Sequence, residues 1–159
     1  MQVDMAVSRP VEPVPDGAFA IQEALAHPIG TPPLAELAGP GKRACIVFTD
    51  ITRASPDHLL VPALLGELEK AGVRDEDITL LCGIGMHRPS TPAEKIAKLG
   101  ANVAARYRVI DNEPQNPAAL VDLGLTPGGV PVLLHRAAVD TDLLISTGIV
   151  EPHQYAGYS

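Results

Sequence analysis

Tryptophan is absent from this chain of 159 residues, and aromatic side chains make up only 3% of it. A core without large rings must be packed from Ala, Val, Leu and Ile. At 46% hydrophobic residues the supply is ample for one domain. A basic excess is also lacking: twelve Lys and Arg face nineteen Asp and Glu, for a formal net charge of −7. That balance excludes the basic stripe of a nucleic-acid binder and electrostatic docking on an anionic membrane. No apolar run approaches the roughly 20 residues that span a bilayer. The mean hydropathy of +0.14 therefore points to buried or interfacial surface, and to an exposed apolar face suited to self-association. Cysteine is nearly missing too. Cys45 and Cys82 both lie inside apolar runs and read as small buried hydrophobes rather than a disulfide or a metal site. The N-terminus has no charged segment leading into an apolar one, so no secretory signal is expected and the cytoplasm is the expected location.

What is plentiful is proline, sixteen in all. With Pro10, Pro13 and Pro15, residues 1–17 read as an extended arm, followed by one α/β domain over 18–159. Phe19 to Ala26 has the spacing of a short helix. Ala44 to Thr49 is a continuous apolar run of the kind buried on both faces of a parallel sheet. Ile78 to Cys82, Tyr107 to Asp111 and Leu143 to Ser146 read as further strands. Ser55-Pro56 reads as an N-cap with Pro at the first helical position, followed by Leu59, Leu60, Ala63, Leu64 and Leu68 at helical spacing and Gly72 as the stop. Thr91-Pro92-Ala93-Glu94 is a capping box that opens a helix to Leu99. Gly128-Gly129 between two apolar runs marks a hairpin. These elements predict an open, Rossmann-like sheet with central parallel strands, helices on both faces and one β-hairpin.

Polar chemistry clusters after three of the strands: Asp50-Ile51-Thr52-Arg53, Gly83-Ile84-Gly85-Met86-His87-Arg88, and Glu151-Pro152-His153. If the strands are parallel, all three loops leave the same carboxyl edge, where open α/β sheets bind ligands. Singly, each residue has a plain structural reading. Asp50 can cap a turn, Arg53 can be a solvated cation, and Gly83 and Gly85 can serve only a tight turn. The Gly-x-Gly lacks the third glycine of a dinucleotide fingerprint. His27, His58 and His135 have no comparable setting and read as surface or structural residues.

Taken in order, Asp50-Ile51-Thr52-Arg53, then Gly83-x-Gly85-x-His87-Arg88-Pro89 followed by Glu94, then Glu151-Pro152-His153 with Ala156-Gly157-Tyr158-Ser159, resemble the motifs of the nickel-pincer lactate racemase family. Pro28 to Leu37 and Thr126 to Val132 resemble it as well. The resemblance runs from about residue 18 to Ser159, and the final motif is the most specific. It implies a racemase or epimerase of 2-hydroxy acids, in which a C2 hydride passes reversibly to a nickel-pincer nucleotide. By motif position His87 and His153 would be the catalytic acid–base pair and Arg53 would hold the substrate carboxylate. Asp50, Thr52, Gly83 and Gly85 would line the cofactor. Neutral imidazole suits a proton transfer near pH 7, and Arg suits a carboxylate. The family's cofactor-bearing lysine and nickel-ligand histidine lie past Ser159, and Asp111-Asn112 stands where the family often shows His-Asp. The resemblance therefore implies the N-terminal part of a racemase, partnered by a C-terminal domain and expected to be inactive alone. The competing reading is a non-catalytic α/β module that binds a small phosphorylated ligand or a protein partner. A metal hydrolase built on His87 and His153 lacks a carboxylate ligand at metal spacing.

Overall fold

Asp16 opens the first regular element by accepting a hydrogen bond from the Phe19 amide at 3.0 Å. The computed structural model describes residues 9–153 and 157–158. Residues 1–8 of the proposed arm, and 154–156 and 159 of the last motif, lie outside them. After α1 (Gly17–Ala26) and the single turn α2 (Leu34–Leu37) comes β1 (Ala44–Thr49). Then follow α3 (Asp57–Lys70), β2 (Ile78–Gly83), α4 (Pro92–Leu99), α5 (Ala101–Arg106) and β3 (Arg108–Asp111). The hairpin β4 (Leu120–Leu125) and β5 (Pro131–His135) leads through the turn α6 (Arg136–Val139) to β6 (Leu143–Ser146). Two short strands, β7 (Pro152–His153) and β8 (Gly157–Tyr158), pair with each other and not with the main sheet.

The expected strands and hairpin are present; the start and phase of α3 differ from the sequence reading, and the short helices α2, α5 and α6 are absent from it. Helix α3 begins at Asp57 with no side-chain cap. The Ser55 hydroxyl instead donates to the Asp57 carboxylate at 3.1 Å, because a carboxylate sealed from water demands donors more strongly than a helix terminus at the surface does. The buried stripe of α3 is accordingly Asp57, Val61, Leu65 and Leu68, one step away from the stripe through Leu60 and Leu64. Helix α5, absent from the sequence reading, resumes directly after Gly100, whose φ of +84° breaks it from α4. The capping box at Thr91 and Glu94 forms with both reciprocal bonds.

The main sheet runs β3-β2-β1-β6, with every pair parallel. Chain order moves outward from β1 through β2 to β3, then returns to the far side of β1 with β6. The switch point lies between β1 and β6, and at such a point open α/β sheets bind ligands outside the carboxyl ends. β1 and β2 end level, Thr49 pairing with Gly83, while β6 ends earlier, Ser146 pairing with Val47. Ala44, Ile46 and Phe48 of β1, with Ile78, Leu80 and Cys82 of β2, form one face, and Val61, Leu65, Leu68 and Leu99 of the helices pack into the same core. Each such fully buried side chain contributes about 1.5–3 kcal/mol. The opposite face is more open. Helix α6 touches β1 and β2, while Leu144 and the hairpin residues Leu123, Leu125 and Leu133 remain exposed. Both cysteines are buried and free, and burial pushes each thiol up to about 11. Among the described residues no helix is long and apolar enough to cross a membrane.

Candidate functional site at the carboxyl edge

Asp50 is the first residue past β1 and is only 6% exposed. Its Oδ1 accepts the Thr52 hydroxyl at 2.6 Å and the Thr52 amide at 3.2 Å. Its Oδ2 lies 2.5 Å from Nδ1 of His87. Burial alone would raise this carboxyl, but the bonds from Thr52 and His87 outweigh it and hold the group below the ordinary range. An ionised Asp50 accepts, so Nδ1 of His87 donates and carries the proton. Nε2 is thereby left as the acceptor on a half-exposed ring. His87 reaches this position through a tight turn: its amide donates to the Ile84 carbonyl at 2.9 Å. Gly85 within the turn has φ +57°, a conformation that disfavours a side chain.

Arg53 is half-buried on the same loop as Asp50. Its amide donates to the Asp50 carbonyl at 3.2 Å. Its guanidinium has no hydrogen-bond or ion-pair partner among the described residues. Arg88 differs. It grips Glu94 with two bonds, Nη2 to Oε1 at 2.6 Å and Nη1 to Oε2 at 2.9 Å, and Glu94 also caps α4. Its role is to fix the His87 loop to a helix. Gly83 closes β2, and nothing lies within 4 Å of a Cβ placed on Gly85, so the edge is bare beside His87. A cavity of about 800 Å³ adjoins it, lined by His87, Met86, Lys95 and Asp111 among others. His153 lies in β7, paired with Gly157 of β8, on the segment that leaves the carboxyl end of β6. The structure thus joins Asp50, Thr52 and His87 in direct contact, with Arg53 and the two glycines on the same two loops, while His153 belongs to a separate hairpin. A depression of about 540 Å³ lies at the opposite edge, where Arg43, Asp77, Arg108 and Arg136 line it. Charges there pair with local partners, Arg43 with Asp142 and Arg136 with Asp140.

Sequence reasoning missed a polar cluster beneath this edge. Asp57 is fully buried. Its Oδ2 accepts from the Thr49 hydroxyl at 2.6 Å and lies 2.8 Å from Nζ of Lys98. Its Oδ1 accepts from Ser55 and, at 2.7 Å, from the Thr147 hydroxyl. Lys98 is itself buried. Burial opposes ionisation of Asp57, but Lys98, Thr49 and Thr147 more than compensate and hold its carboxyl low. One signal was available: Thr49 and Thr147 are the polar residues that end two apolar runs. Nothing marks Lys98 as inward-facing, since a lysine in the last turn of a helix normally complements the dipole from the surface.

These carboxyls set an acid limit. Asp50 and Asp57 are held below 3.8, and Glu94 is held down to about 2 by Arg88 and the Thr91 amide. The unfolded chain binds more protons than the fold in that window, so stability rises with pH there and is complete above the ordinary carboxylate values. We expect the urea midpoint to fall slightly from about pH 7 to pH 5, where burial holds the His135 imidazole low, and to fall more steeply below about pH 4.5 as the carboxylates take up protons. A midpoint unchanged down to pH 3 would refute the pairing of these carboxylates.

Comparison with known proteins follows the same lines. A model of the lactate racemase N-terminal domain family matches residues 1–159. The lactate racemase of Lactiplantibacillus plantarum is 33% identical over 139 residues, which is 87% of this chain and 32% of that protein. The lactate racemase of Thermoanaerobacterium thermosaccharolyticum is 32% identical over the same shares of each. The solved structure of the lactate racemase apoprotein from Thermoanaerobacterium thermosaccharolyticum superposes with a TM-score of 0.78 at 31% identity, covering 89% of this chain and 34% of that one. A protein from Thermotoga maritima of known structure gives 0.74 at 25% identity, covering 94% and 37%. The chain spans about a third of the length of these relatives. The shared parallel sheet, and a family match that runs the whole length of the sequence, place this chain in the lactate racemase N-terminal domain family.

Proposed function

We propose that this chain carries the substrate-binding edge of a racemase or epimerase of 2-hydroxy acids. One observation carries the reading. Asp50 accepts from Nδ1 of His87, which in the neutral ring leaves Nε2 to take a proton, while the guanidinium of Arg53, unpartnered among the described residues, lies on the same loop as Asp50. A 2-hydroxy acid offers a hydroxyl proton to the first and a carboxylate to the second. Asp50 compensates the positive charge that appears when Nε2 of His87 accepts the hydroxyl proton, as the carboxylate does in a Ser-His-Asp triad. Arg53 fixes the substrate's orientation with a two-pronged grip. His153, from the segment after β6, is the base for the opposite hand of the substrate.

The nickel-pincer nucleotide that the resemblance implies fits this edge in part. Among the described residues no group of three His, Cys, Asp or Glu could hold a metal, so these residues do not form a metal site by themselves. The bare edge at Gly85, next to the loop of Asp50 and Thr52 that His87 joins, suits a flat ring. When bound, such a nucleotide would supply a reversible acceptor for the C2 hydride. The remainder of such an enzyme would close over this edge.

Arg53→Lys tests the reading. In the loaded enzyme that carries this domain, the KM for lactate is expected to rise about tenfold with kcat changed less, since a point charge replaces a bidentate fork. An unchanged KM would remove Arg53 from the site. Tighter binding of inorganic phosphate than of lactate would favour a phosphate-binding module instead.

A further inference from the structure

We infer that Lys98, held by Asp57, is the positioning residue for the Arg53 loop, an inference that rests on the reading of Arg53 as the carboxylate grip. Nζ of Lys98 lies 3.1 Å from the Arg53 carbonyl and 3.1 Å from the Ser55 carbonyl. It also lies 2.8 Å from Oγ1 of Thr49 at the end of β1 and 2.8 Å from Oδ2 of Asp57 at the start of α3. Both backbone polar groups of Arg53 are therefore engaged, the amide on Asp50 and the carbonyl on Lys98, while its guanidinium is unpartnered among the described residues. A fixed backbone under an unengaged side chain is how a binding group is held ready. Thr147, bonded to Asp57 and through its amide to the Val47 carbonyl at 2.9 Å, extends the tie to β6. The loop is thus referenced to both strands that flank the switch point.

Stability alone does not call for an ion pair here. A buried pair is often replaceable by apolar residues of similar volume without loss. What an apolar residue cannot do is hold two loop carbonyls at fixed positions. The tie is also distinct from the proton chemistry: among the described residues, neither Lys98 nor Asp57 makes a hydrogen bond or ion pair with His87.

The test uses amide hydrogen exchange and lactate titration of the 159-residue chain by NMR. In the parent chain the Thr52 and Arg53 amides are expected to be protected. Lys98→Met alone strands a buried carboxylate, so the informative variant is the double Lys98→Met with Asp57→Asn, which removes both charges together. It is expected to speed exchange at Thr52 and Arg53 about tenfold or more, leave the Gly129 amide of the hairpin turn unchanged, and weaken lactate binding about tenfold. A folded double variant with parental exchange and lactate affinity would overturn the inference. So would unprotected Thr52 and Arg53 amides in the parent, which needs no variant. If the parent binds no lactate, the functional reading of Arg53 fails, and the exchange arm still decides whether Lys98 holds the loop.

Discussion

Asp57→Ala is expected to cost the fold about 3–5 kcal/mol, the range for breaking a buried ion pair from one side. The carboxylate is fully buried and takes bonds from Ser55, Thr147, Thr49 and Lys98. Truncation removes all of those acceptors at once. Lys98, 7% exposed, then keeps its charge with only hydroxyl and carbonyl oxygens about it, and three hydroxyls lose a partner. Against a total of about 5–15 kcal/mol for a domain, that is a large share. The measurement is urea unfolding at pH 7, where Asp57 is ionised in the parent. Adding Lys98→Met to Asp57→Ala is expected to recover part of the loss, since no charge is then stranded. A single variant within about 1 kcal/mol of the parent would mean that the cluster is not a structural pin.

Much of the fold was legible because its signals are local. β1 and β2 are short, largely apolar runs without alternation, which is what burial between neighbours in a parallel sheet requires, whereas β6 lies at the sheet edge and its burial alternates. Thr91 and Glu94 announced α4 by spacing alone. Thr126 to Val130 closes the hairpin through two backbone bonds of 2.9 Å, as the paired glycines suggested. The loops bearing Asp50 and His87 could be placed on one edge as soon as the strands were read as parallel. What could not be read depends on pairs far apart in sequence. Thr147 meets Asp57 across ninety positions, and Lys98 meets Arg53 across forty-five. A lysine on a short helix and an aspartate after Ser-Pro look the same whether they face water or each other. The phase of α3 was misjudged for the same reason: Asp57 faces inward because Lys98 is there to meet it.

His87→Ala is expected to lower turnover of the loaded enzyme by a factor of roughly 10²–10⁴, the range for loss of a general acid–base group. Asp50→Asn is expected to lower it too, because an amide can accept from Nδ1 with its oxygen but brings no charge to offset the imidazolium. The His87 side chain is 50% exposed and packs little, but its removal takes a donor from the buried Asp50 carboxylate, so stability is expected to fall by about 1–3 kcal/mol. Unfolding measured beside the rate separates that loss from the chemistry. The decisive measurement is the initial rate of lactate racemisation by His87→Ala, followed by chiral analysis of the product with urea unfolding in parallel. A loss of at least about a hundredfold in a variant that remains folded under the assay conditions would establish His87 as an acid–base group at the carboxyl edge. Parental turnover by His87→Ala would contradict it.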